Sequence, residues 1–359
     1  MNTKKYINKE LSQKILTIGI SRKTYGGMAA VLVSYEKYFE KFNMIPTWRL
    51  GNKIVKIWYA FQSVIRCLLL LLLFDRRIKI VHIHGAAFAS LYRKALFIKI
   101  AKRFNKKVIL HQHAADFQEF FSQSNDKKRI IDIINSCDKL IVLSQSWKNY
   151  FLSIGVLEQK IVILNNIVTP PDYVSDQQIN DKLHLLFLGE INNRKGVYDL
   201  LNVLKKNEEV FKDKIFLRIG GNLVDGNINA VIAENGLSSF VKYEGWVAGS
   251  KKAECLEWAN VYILPSYNEG LPIAILEAMS YSRPVISTNV GGIPEILHTH
   301  ENGFLIEPGN LEQIKKAILF FIENPEKITE YGQNAYKSVV QFFPESVFYQ
   351  LKKIYQNLI

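Results

Sequence analysis

Short apolar runs rich in β-branched residues alternate with stretches of helical periodicity along most of the chain. In the front half these runs are KILTIGI (14–20), KIVHIH (79–84), KKVILHQH (106–113) and KLIVLS (139–144). In the rear half they are LHLLFLGE (183–190), KIFLRIGG (214–221), VKYEGWV (241–247), VYILPS (261–266) and PVISTNVGG (284–292). Apolar strands that alternate with helices indicate parallel sheets covered on both faces. We therefore predict an α/β protein with two doubly wound, Rossmann-like domains.

The stretch KIVILNNIVTPPDYVSDQQINDK (160–182) interrupts this pattern, because it loses its periodicity and fills with Pro, Asn and Asp. We interpret it as the connection between the domains. The predicted boundaries are residues 1–170, a linker at 171–182, residues 183–344, and a final amphipathic helix at about 345–359. Because ligands of doubly wound sheets bind at the carboxyl ends of the strands, two facing sheets would form a cleft.

Composition agrees with a globular, two-domain protein, since 359 residues exceed one ordinary core. The three cysteines lie far apart and form no metal-binding or disulfide pattern. The polar N-terminal stretch lacks the apolar core of a secretion signal. These features favour a cytoplasmic protein with reduced thiols.

The net charge of +13 is distributed unevenly. Residues 1–170 carry 28 basic and 10 acidic side chains, or +18, whereas the remainder carries 18 and 23, or −5. A basic front half indicates an anionic partner: anionic lipid, a phosphate-bearing substrate or nucleic acid. The basic residues are spread over helices without a recognised nucleic-acid module, so we predict no nucleic-acid partner.

The most apolar run is CLLLLLLF (67–74), the end of the longer stretch WYAFQSVIRCLLLLLLF (58–74). Extending the apolar run backward soon meets Arg66, Gln62 and Lys56, so no uncharged span of membrane length is present. We interpret the run as a core helix that precedes the strand KIVHIH. The alternative is a contact with an anionic membrane, where each Lys or Arg contributes about 1 kcal/mol.

Two glutamates flank a helix start in YNEGLPIAILEAMS (267–280). Glu269 should precede the helix, Pro272 suits its first turn, and Glu277 should lie inside it. The backbone N–H groups at the helix start belong to Gly270, Leu271 and Ile273. Carboxylates accept hydroxyl hydrogens and a helix N-terminus favours anions, so the segment suits a sugar with a diphosphate. The alternative is a capping Glu269 and an ordinary exposed Glu277.

The flanking sequence EGWVAGSKKAECLEWANVYILPSYNEGLPIAILEAMSYSRPVISTNVGGIPEIL, followed by ENGFLIEPGN, resembles the donor domain of retaining GT-B glycosyltransferases of family 4. The similarity includes the paired glutamates with seven residues between them. It covers nearly the whole chain and is strongest over 183–325.

The resemblance implies a metal-independent enzyme without a cofactor, which moves a hexose-type sugar from a UDP- or GDP-linked donor to an acceptor hydroxyl. It also implies a sugar or lipid-linked acceptor, a role in surface polysaccharide or glycolipid biosynthesis, and a cytoplasmic location with peripheral association to the inner face of the membrane. The terminal helix is expected to pack back on the first domain.

The resemblance also assigns roles in the rear half. Glu269 should hold the donor sugar and act in catalysis, and Glu277 should bind the ribose. Lys195, in FLGEINNRKGVYDLL, should be a catalytic residue that grips the diphosphate. Glu190 stands where the family usually has arginine, and Arg194 is the candidate for the second positive charge. The alternative is that Arg194 and Lys195 are solvated loop charges.

Glycines and histidines supply the candidates in the front half. In TYGGM, Gly26 and Gly27 follow the first strand, where backbone can approach a phosphate or an acceptor. We assign Gly27 to the donor and Gly26 to the acceptor. HQHAADF resembles the family's His-Gly-x-Glu-Phe segment, which implies a catalytic His113 near the donor sugar. His84 and His111 are assigned to the acceptor side.

The histidine pairs His82–His84 and His111–His113 have the alternate spacing that places both rings on one face of a strand. Three or four such rings could bind a metal. No carboxylate or cysteine cluster accompanies them, no Asp-x-Asp occurs, and the resembled family is metal-independent. We predict no metal.

Two other functions are compatible with parts of the sequence. One is a GT-B nucleotide-sugar epimerase, which would need no acceptor. The other is a non-enzymatic basic binding protein. A Rossmann dehydrogenase is disfavoured because no Gly-x-Gly-x-x-Gly follows the first strand.

Overall fold

The computed structural model describes residues 4–22, 24, 26–49, 51–74, 76–173, 181–224 and 226–359. The chain divides into two compact units, one of Met1–Ile167 with Pro344–Ile359 and one of Val168–Phe343. Most of the linker predicted at 171–182 lies outside the described residues, which omit 174–180.

The described strands of the first unit form one parallel six-stranded sheet in the order β2-β1-β3-β4-β5-β6. They are β1 Ile15–Gly19, β2 Met44–Pro46, β3 Ile80–Gly85, β4 Lys107–Gln112, β5 Lys139–Val142 and β6 Ile161–Ile163. The helices are α1 Lys9–Gln13, α2 Gly27–Tyr38, α3 Lys53–Leu73, α4 Ala89–Arg103, α5 Phe117–Gln123, α6 Lys127–Asn135, α7 Gln145–Ser153, the 3₁₀ turn Glu158–Lys160, and the last helix of the chain, Pro344–Gln356.

The second unit repeats this plan with a parallel sheet in the order β12-β11-β10-β7-β8-β9. Its strands are β7 Leu183–Leu188, β8 Ile215–Gly220, β9 Val241–Tyr243, β10 Val261–Leu264, β11 Val285–Thr288 and β12 Gly303–Ile306. Its helices are α8 Val197–Lys206, α9 Glu208–Phe211, α10 Ile228–Glu234, α11 Gly249–Trp258, α12 Ile273–Ser280, α13 Leu311–Glu323 and α14 Glu326–Val339; the last helix of the chain is therefore α15. Short 3₁₀ helices lie at Asn193–Lys195, Leu237–Ser239, Ile293–Glu295 and Val340–Phe342.

Burial explains why the inner strands were predictable. Every residue of β1, β3, β10 and β11 is buried. Because parallel strands covered on both faces are apolar throughout, they appear in the sequence as continuous apolar runs. The prediction of two doubly wound α/β domains is confirmed by the two parallel sheets.

Three strands were missed, and each lies at the edge of its sheet. They are β2, β6 and β12, with three or four residues each. Each has only one or two fully buried residues, so it lacks the continuous buried run seen in β1, β3, β10 and β11. The interpretation of 160–182 as a connection throughout is wrong at its start, because Ile161–Ile163 pair with β5.

The interpretation of residues 58–74 as a core helix is also wrong. They belong to α3, and only Ser63, Cys67 and Leu71 of this helix are buried. The helix is 21 residues long with a mean hydropathy of 1.6 over 18 residues, of which 17% are buried. It is therefore long and apolar enough to cross a membrane, although length and composition alone do not establish a span.

The last helix, α15, begins at Pro344 and belongs to the first unit. Val347, Phe348, Leu351 and Tyr355 are its buried face, with the spacing of three and four expected for an amphipathic helix. Tyr355 is fully buried, and its hydroxyl lies 2.7 Å from Nδ1 of the fully buried His82. This hydrogen bond ties the end of the chain to β3.

We expect Tyr355→Phe to lower the free energy of unfolding of the first unit by about 1–3 kcal/mol, because it leaves the buried His82 Nδ1 without a partner. Denaturant titration would measure the change. Tyr349→Phe is the matched control on the same helix, since Tyr349 is 60% exposed. Equal stability of the two variants would show that the hydrogen bond contributes nothing.

Candidate functional site

The strand order of the second sheet reverses between β7 and β10. The chain proceeds from β7 through β8 to β9 on one side, and β10, β11 and β12 extend on the other. At such a reversal the loops that leave the two central strands diverge and open a crevice at the carboxyl edge. The loops that follow β7 and β10 are therefore the place where a ligand of this sheet would bind.

The loop after β7 leads into the 3₁₀ turn Asn193–Lys195. The Asn192 side chain caps this turn by accepting a hydrogen bond of 3.0 Å from the Lys195 backbone N–H. Gly196 follows with φ +71°, and a Cβ there would lie 2.0 Å from the carbonyl oxygen of Pro265. Only glycine allows so close an approach in this conformation. The turn that carries Lys195 is thus pressed against the loop after β10.

That contact brings a buried ion pair together. Lys195 Nζ lies 2.5 Å from Glu269 Oε1, and the two side chains are 14% and 6% exposed. Ser266 Oγ donates to the same carboxylate oxygen over 2.7 Å. The pair joins residues 74 positions apart at the reversal of the sheet, and it places one fixed positive and one fixed negative charge side by side.

Arg194 is held differently. Its Nη2 lies 3.1 Å from Glu190 Oε2, and its Nη1 donates to the carbonyl of Asn268 over 3.0 Å. Both partners of the ion pair are about 40% exposed. Glu190, the departure from the family pattern, therefore offsets the charge of Arg194 in this arrangement.

The helix α12 begins at Ile273 as predicted, with Pro272 immediately before it rather than within its first turn. Gly270 and Leu271 lie in the connection between Glu269 and the helix. Glu277 lies in the helix and forms an ion pair with Lys252 of α11. The two predicted carboxylates thus each face a lysine.

The segment after β11 supports this loop from behind. Gly291 has φ +56°, and a Cβ there would lie 2.0 Å from the carbonyl oxygen of Glu269. The next residue, Gly292, donates its backbone N–H to the carbonyl of Gly270 over 2.6 Å. The segment VGGIPE (290–295) therefore fixes the backbone that carries Glu269.

Tyr262 of β10 connects the two central strands below the ion pair. Its buried hydroxyl donates to the carbonyl of Leu188 over 2.8 Å. Burial, together with the negative charges of Glu269 and Glu277, raises the pKa of Tyr262 well above its ordinary value. The tyrosine therefore stays a neutral donor and holds β7 and β10 in register.

A pocket of about 340 Å³ adjoins the turn that carries Lys195. It is lined by Asn193, Arg194, Tyr198, Asp199 and Tyr267. Tyr267 donates its hydroxyl to Asp199 over 2.8 Å, and its side chain is 45% exposed. Sequence reasoning identified Arg194 in this group but missed the tyrosines and Asp199.

The first sheet reverses between β1 and β3, and the predicted glycines follow β1. Gly26 has φ +105°, which favours glycine, and it precedes Gly27, the first residue of α2. A Cβ at either position would meet no described atom within 4 Å. The backbone conformation at Gly26 and the open space around both residues suit the approach of a ligand. Tyr25 of the same motif lies outside the described residues.

The four histidines of the first unit form one group of stacked rings. Ring centroids are 4.5 Å apart for His82–His84, 5.2 Å for His84–His113 and 4.2 Å for His111–His113. His84 Nδ1 and His113 Nε2 share a hydrogen bond of 2.9 Å. The structure thus brings together His84, His111 and His113, which the sequence assigned to one region.

Burial keeps these imidazoles neutral. It lowers the pKa of His82 and of His113 to about 3, and it lowers the pKa values of His84 and His111 well below the ordinary range. Neighbouring rings add to the effect at His82, His84 and His111. A neutral imidazole can donate or accept a hydrogen bond, but it supplies no positive charge at neutral pH.

His82, His84 and His111 could in principle hold a metal, since their nitrogens lie within 4.8 Å of one another. Within the described part of the chain, His82 Nε2, His84 Nε2 and both nitrogens of His111 have no hydrogen-bond partner. However, stacked rings direct their in-plane lone pairs side by side rather than toward one point, and the buried Lys94 disfavours a cation near His84. The donor set therefore fits a metal poorly.

Sequence reasoning missed several partners of the predicted residues. Ser266 and Lys252 contact the two glutamates, and the fully buried Lys94 donates to Thr47 Oγ1 over 2.6 Å in the first unit. Ser266 lies only three residues before Glu269, so loop proximity could have indicated it. Nothing in the spacing of Lys252 or Lys94 signals their contacts, which depend on helix packing.

We expect Gly291→Ala to lower the free energy of unfolding by at least about 2 kcal/mol more than Gly249→Ala, because only Gly291 adds a backbone clash to the left-handed strain of about 1–2 kcal/mol. Both glycines have φ +56°, and a Cβ at Gly249 would meet nothing described within 4 Å. Denaturant titration of the second unit would compare the two variants. Equal losses of stability in the two variants would mean that the loop before α12 moves away from the added Cβ at no cost in free energy.

Comparison with known proteins agrees with this geometry. Residues 37–170 match the model described as Glycosyltransferase Family 4, and residues 171–338 match the model described as Glycosyl transferases group 1. An uncharacterized glycosyltransferase of Methanocaldococcus jannaschii, MJ1069, is 26% identical over 340 residues, which are 89% of this chain and 84% of that relative.

Other relatives are matched over less of their length. The amylovoran biosynthesis glycosyltransferase AmsK of Erwinia amylovora is 23% identical over 71% of this chain and 61% of its own. The N,N'-diacetylbacillosaminyl-diphospho-undecaprenol alpha-1,3-N-acetylgalactosaminyltransferase of Campylobacter jejuni is 24% identical over 63% and 64%.

Among solved structures, Anabaena Alr3699/HepE in complex with UDP is similar with a TM-score of 0.75 and 16% identity, over 96% of this chain and 100% of that one. At this identity the likeness shows the fold. The two family models together match residues 37–338 without a gap. The chain is therefore an enzyme of the GT-B glycosyltransferases of family 4.

Proposed function

We propose that this glycosyltransferase moves a sugar, with retention of configuration, from a UDP- or GDP-linked donor to a hydroxyl of a sugar or lipid-linked acceptor. In this proposal the second unit binds the donor and the first unit binds the acceptor. The reaction requires no metal and no cofactor, and it serves the synthesis of a surface polysaccharide or glycolipid on the cytoplasmic side of a membrane. The observation that carries the proposal is the Lys195–Glu269 pair at the reversal of the second sheet.

The pair suits the point where a sugar joins a diphosphate. A phosphate oxygen is attracted by the Lys195 ammonium, whereas a sugar hydroxyl donates to the Glu269 carboxylate. Because the two charged atoms lie 2.5 Å apart, one ligand can contact both only if it carries both groups on adjacent atoms. The N-terminus of α12, directly after Gly270, Leu271 and Pro272, adds a partial positive charge for the diphosphate.

Glu277 extends the site along α12. It lies eight residues after Glu269 and pairs with Lys252, and its side chain is 21% exposed. The two adjacent hydroxyls of a ribose could displace Lys252 and donate hydrogen bonds to the Glu277 carboxylate. Arg194, at the rim of the neighbouring pocket, supplies a second cation for the phosphates if the ligand draws it from Glu190.

Catalysis follows from the charge that develops on the leaving group. The bond between the sugar C1 and the diphosphate oxygen breaks, and negative charge accumulates on the diphosphate beside Lys195. The acceptor oxygen bonds to C1 on the same face, and its proton passes to the departing phosphate oxygen. Neutral His113, oriented by its hydrogen bond to His84, is proposed to contact the donor sugar and orient it.

Two relatives support the proposed acceptor and setting. The Campylobacter relative is named for transfer to a sugar-bearing diphospho-undecaprenol, and the Erwinia relative is named for amylovoran biosynthesis. The excess of positive charge in residues 1–170 suits an acceptor that carries a diphosphate. We assign Gly26, His84 and His111 to the binding of this acceptor and Gly27 to the binding of the donor.

A thermal-shift panel of UDP, GDP, ADP and their common sugar conjugates, measured with a chelator present, tests the donor site. A ligand that binds only the folded state stabilises it by about 2.7 kcal/mol at a concentration 100 times its Kd. This stabilisation raises the melting temperature. We expect one nucleotide series to stabilise the protein selectively and without metal. A flat panel would contradict a functional diphosphate site, and a shift seen only with added Mg²⁺ or Mn²⁺ would contradict metal independence.

We expect Lys195→Ala and Glu269→Ala each to lower sugar transfer by at least about 10²–10³-fold, the usual loss for one group that stabilises developing charge. Single removal also leaves a buried charge without its partner, which costs about 3–5 kcal/mol of stability. Glu269→Gln removes the charge but keeps an oxygen that can accept from Lys195 and Ser266, so denaturant titration of this variant beside its transfer assay separates the two effects. Lys206→Ala, an exposed change on α8, is the control.

Full transfer by a folded Glu269→Gln or Lys195→Ala variant would contradict the site. Analysis of the products formed from donor alone would separate a transferase from an epimerase, because only an epimerase converts the nucleotide-sugar without an acceptor.

A further inference from the structure

The outward face of α3 is apolar along its whole length. Eight large apolar side chains of the helix are between 41% and 78% exposed: Ile54, Ile57, Trp58, Phe61, Ile65, Leu69, Leu72 and Leu73. Phe74, which caps the helix, is 44% exposed. Single exposed apolar residues are common, but a continuous apolar surface of this length marks an interaction site.

The exposed residues share one face because they recur at intervals of three and four. At about 100° per residue, they cover roughly 160° of the helix surface. The buried residues Ser63, Cys67 and Leu71 recur at intervals of four on the opposite side. Between residues 54 and 73, Gln62 and Arg66 are the exposed polar residues; Gln62 lies inside this arc near one edge and Arg66 lies just beyond it. We call this surface, Ile54 to Leu73, the α3 face.

The packing of α3 determines how the face can be covered. Cys67 and Leu71 belong to the core of the first unit, and Val64 and Leu70 pack against it. The helix is about 31 Å long, and it is held side-on over the part that includes these residues. It could cross a bilayer only by leaving that core, whereas its exposed face can contact a bilayer while the helix stays packed on the first unit.

The charges around the helix favour an anionic surface. Between residues 53 and 79 the sequence contains one acidic residue, Asp75, and six basic ones: Lys53, Lys56, Arg66, Arg76, Arg77 and Lys79. Lys56 Nζ lies 5.4 Å from the Trp48 ring, and the Arg49 guanidinium lies 4.9 Å from the Tyr59 ring. Cations and aromatic rings close to an apolar helix are typical of helices in the interfacial layer of a membrane.

We propose that the α3 face inserts into the interfacial layer of an anionic lipid bilayer, with the helix axis parallel to the membrane plane. The apolar side chains enter the boundary between headgroups and acyl chains, and the flanking lysines and arginines contact lipid phosphates. A bilayer fits better than a protein groove because the helix offers a protein partner few polar groups to recognise. Between residues 54 and 73, only Gln62 and Arg66 are polar and exposed. This inference concerns a surface separate from the donor site, so it stands or falls independently of the proposed reaction.

Flotation with vesicles tests the proposal. The full chain is mixed with phosphatidylcholine vesicles that contain or lack about 30% phosphatidylglycerol, at low and high salt. We expect the protein to float with the anionic vesicles and the partition coefficient to fall at high salt, because the cationic contribution is screened. The variant Ile57→Gln/Phe61→Gln/Leu72→Gln should lower the partition coefficient at least tenfold.

The control changes three other exposed apolar residues of the chain, Leu157→Gln/Leu223→Gln/Val340→Gln, which are 40–45% exposed. It should float as the unaltered protein does. Both triple variants should keep a cooperative unfolding transition, which separates loss of membrane binding from loss of fold whether or not a donor binds. Quenching of tryptophan fluorescence by lipids brominated in the acyl chain should occur and should largely vanish in Trp58→Phe.

Three results would overturn the proposal. One is flotation that the α3 triple variant leaves unchanged, which would mean that charge alone attracts the protein. Another is absence of flotation from a monomeric protein. The third is a dimer that the α3 variant dissociates, since a second copy would then cover the face.

Discussion

The buried ion pair between Lys195 and Glu269 is the interaction on which the arrangement of the second unit depends. Taking two charges out of water costs several kcal/mol for each ion, so a buried pair persists only where the surrounding structure fixes its geometry and adds hydrogen bonds. Here Ser266 supplies one such bond. The sheet fixes the geometry of the pair, because the strand order places the loops after β7 and β10 next to each other. The two charged residues are 74 positions apart in the sequence.

The same constraint explains the glycines around the pair. Gly196 and Gly291 both lie in left-handed conformations, and a Cβ on either would lie 2.0 Å from a carbonyl oxygen of the loop after β10. One glycine lets the lysine turn approach that loop from the β7 side, and the other lets the β11 segment support it from behind. These close contacts favour a preorganised site, since the backbone that positions both charges is fixed before a ligand arrives.

The features that sequence predicted are those governed by local pattern. The inner strands were found because both of their faces are buried, and α12 was found because a proline precedes an apolar run. The edge strands β2, β6 and β12 were missed because each has only one or two fully buried residues and therefore gives no continuous apolar run. The ion pairs of Glu269 and Glu277 with lysines could not be predicted from the sequence. Lys195 and Lys252 come close to these glutamates only through the packing of elements that are distant in the sequence. By contrast, Glu190 and Arg194 lie four residues apart in one loop, so their proximity in the sequence could have indicated this pair.

Helix α3 shows where hydrophobicity alone is ambiguous. An apolar sequence predicts that a helix will be removed from water, but it does not say whether protein or lipid will cover each face. In α3 the buried residues Ser63, Cys67 and Leu71 form a narrow stripe, whereas the larger and more apolar residues point outward. A soluble domain that needed only a core would place its largest apolar residues on the inner face. The proposed contact with a second apolar phase outside the protein accounts for this reversed distribution, and the surrounding lysines and arginines favour an anionic bilayer as that phase.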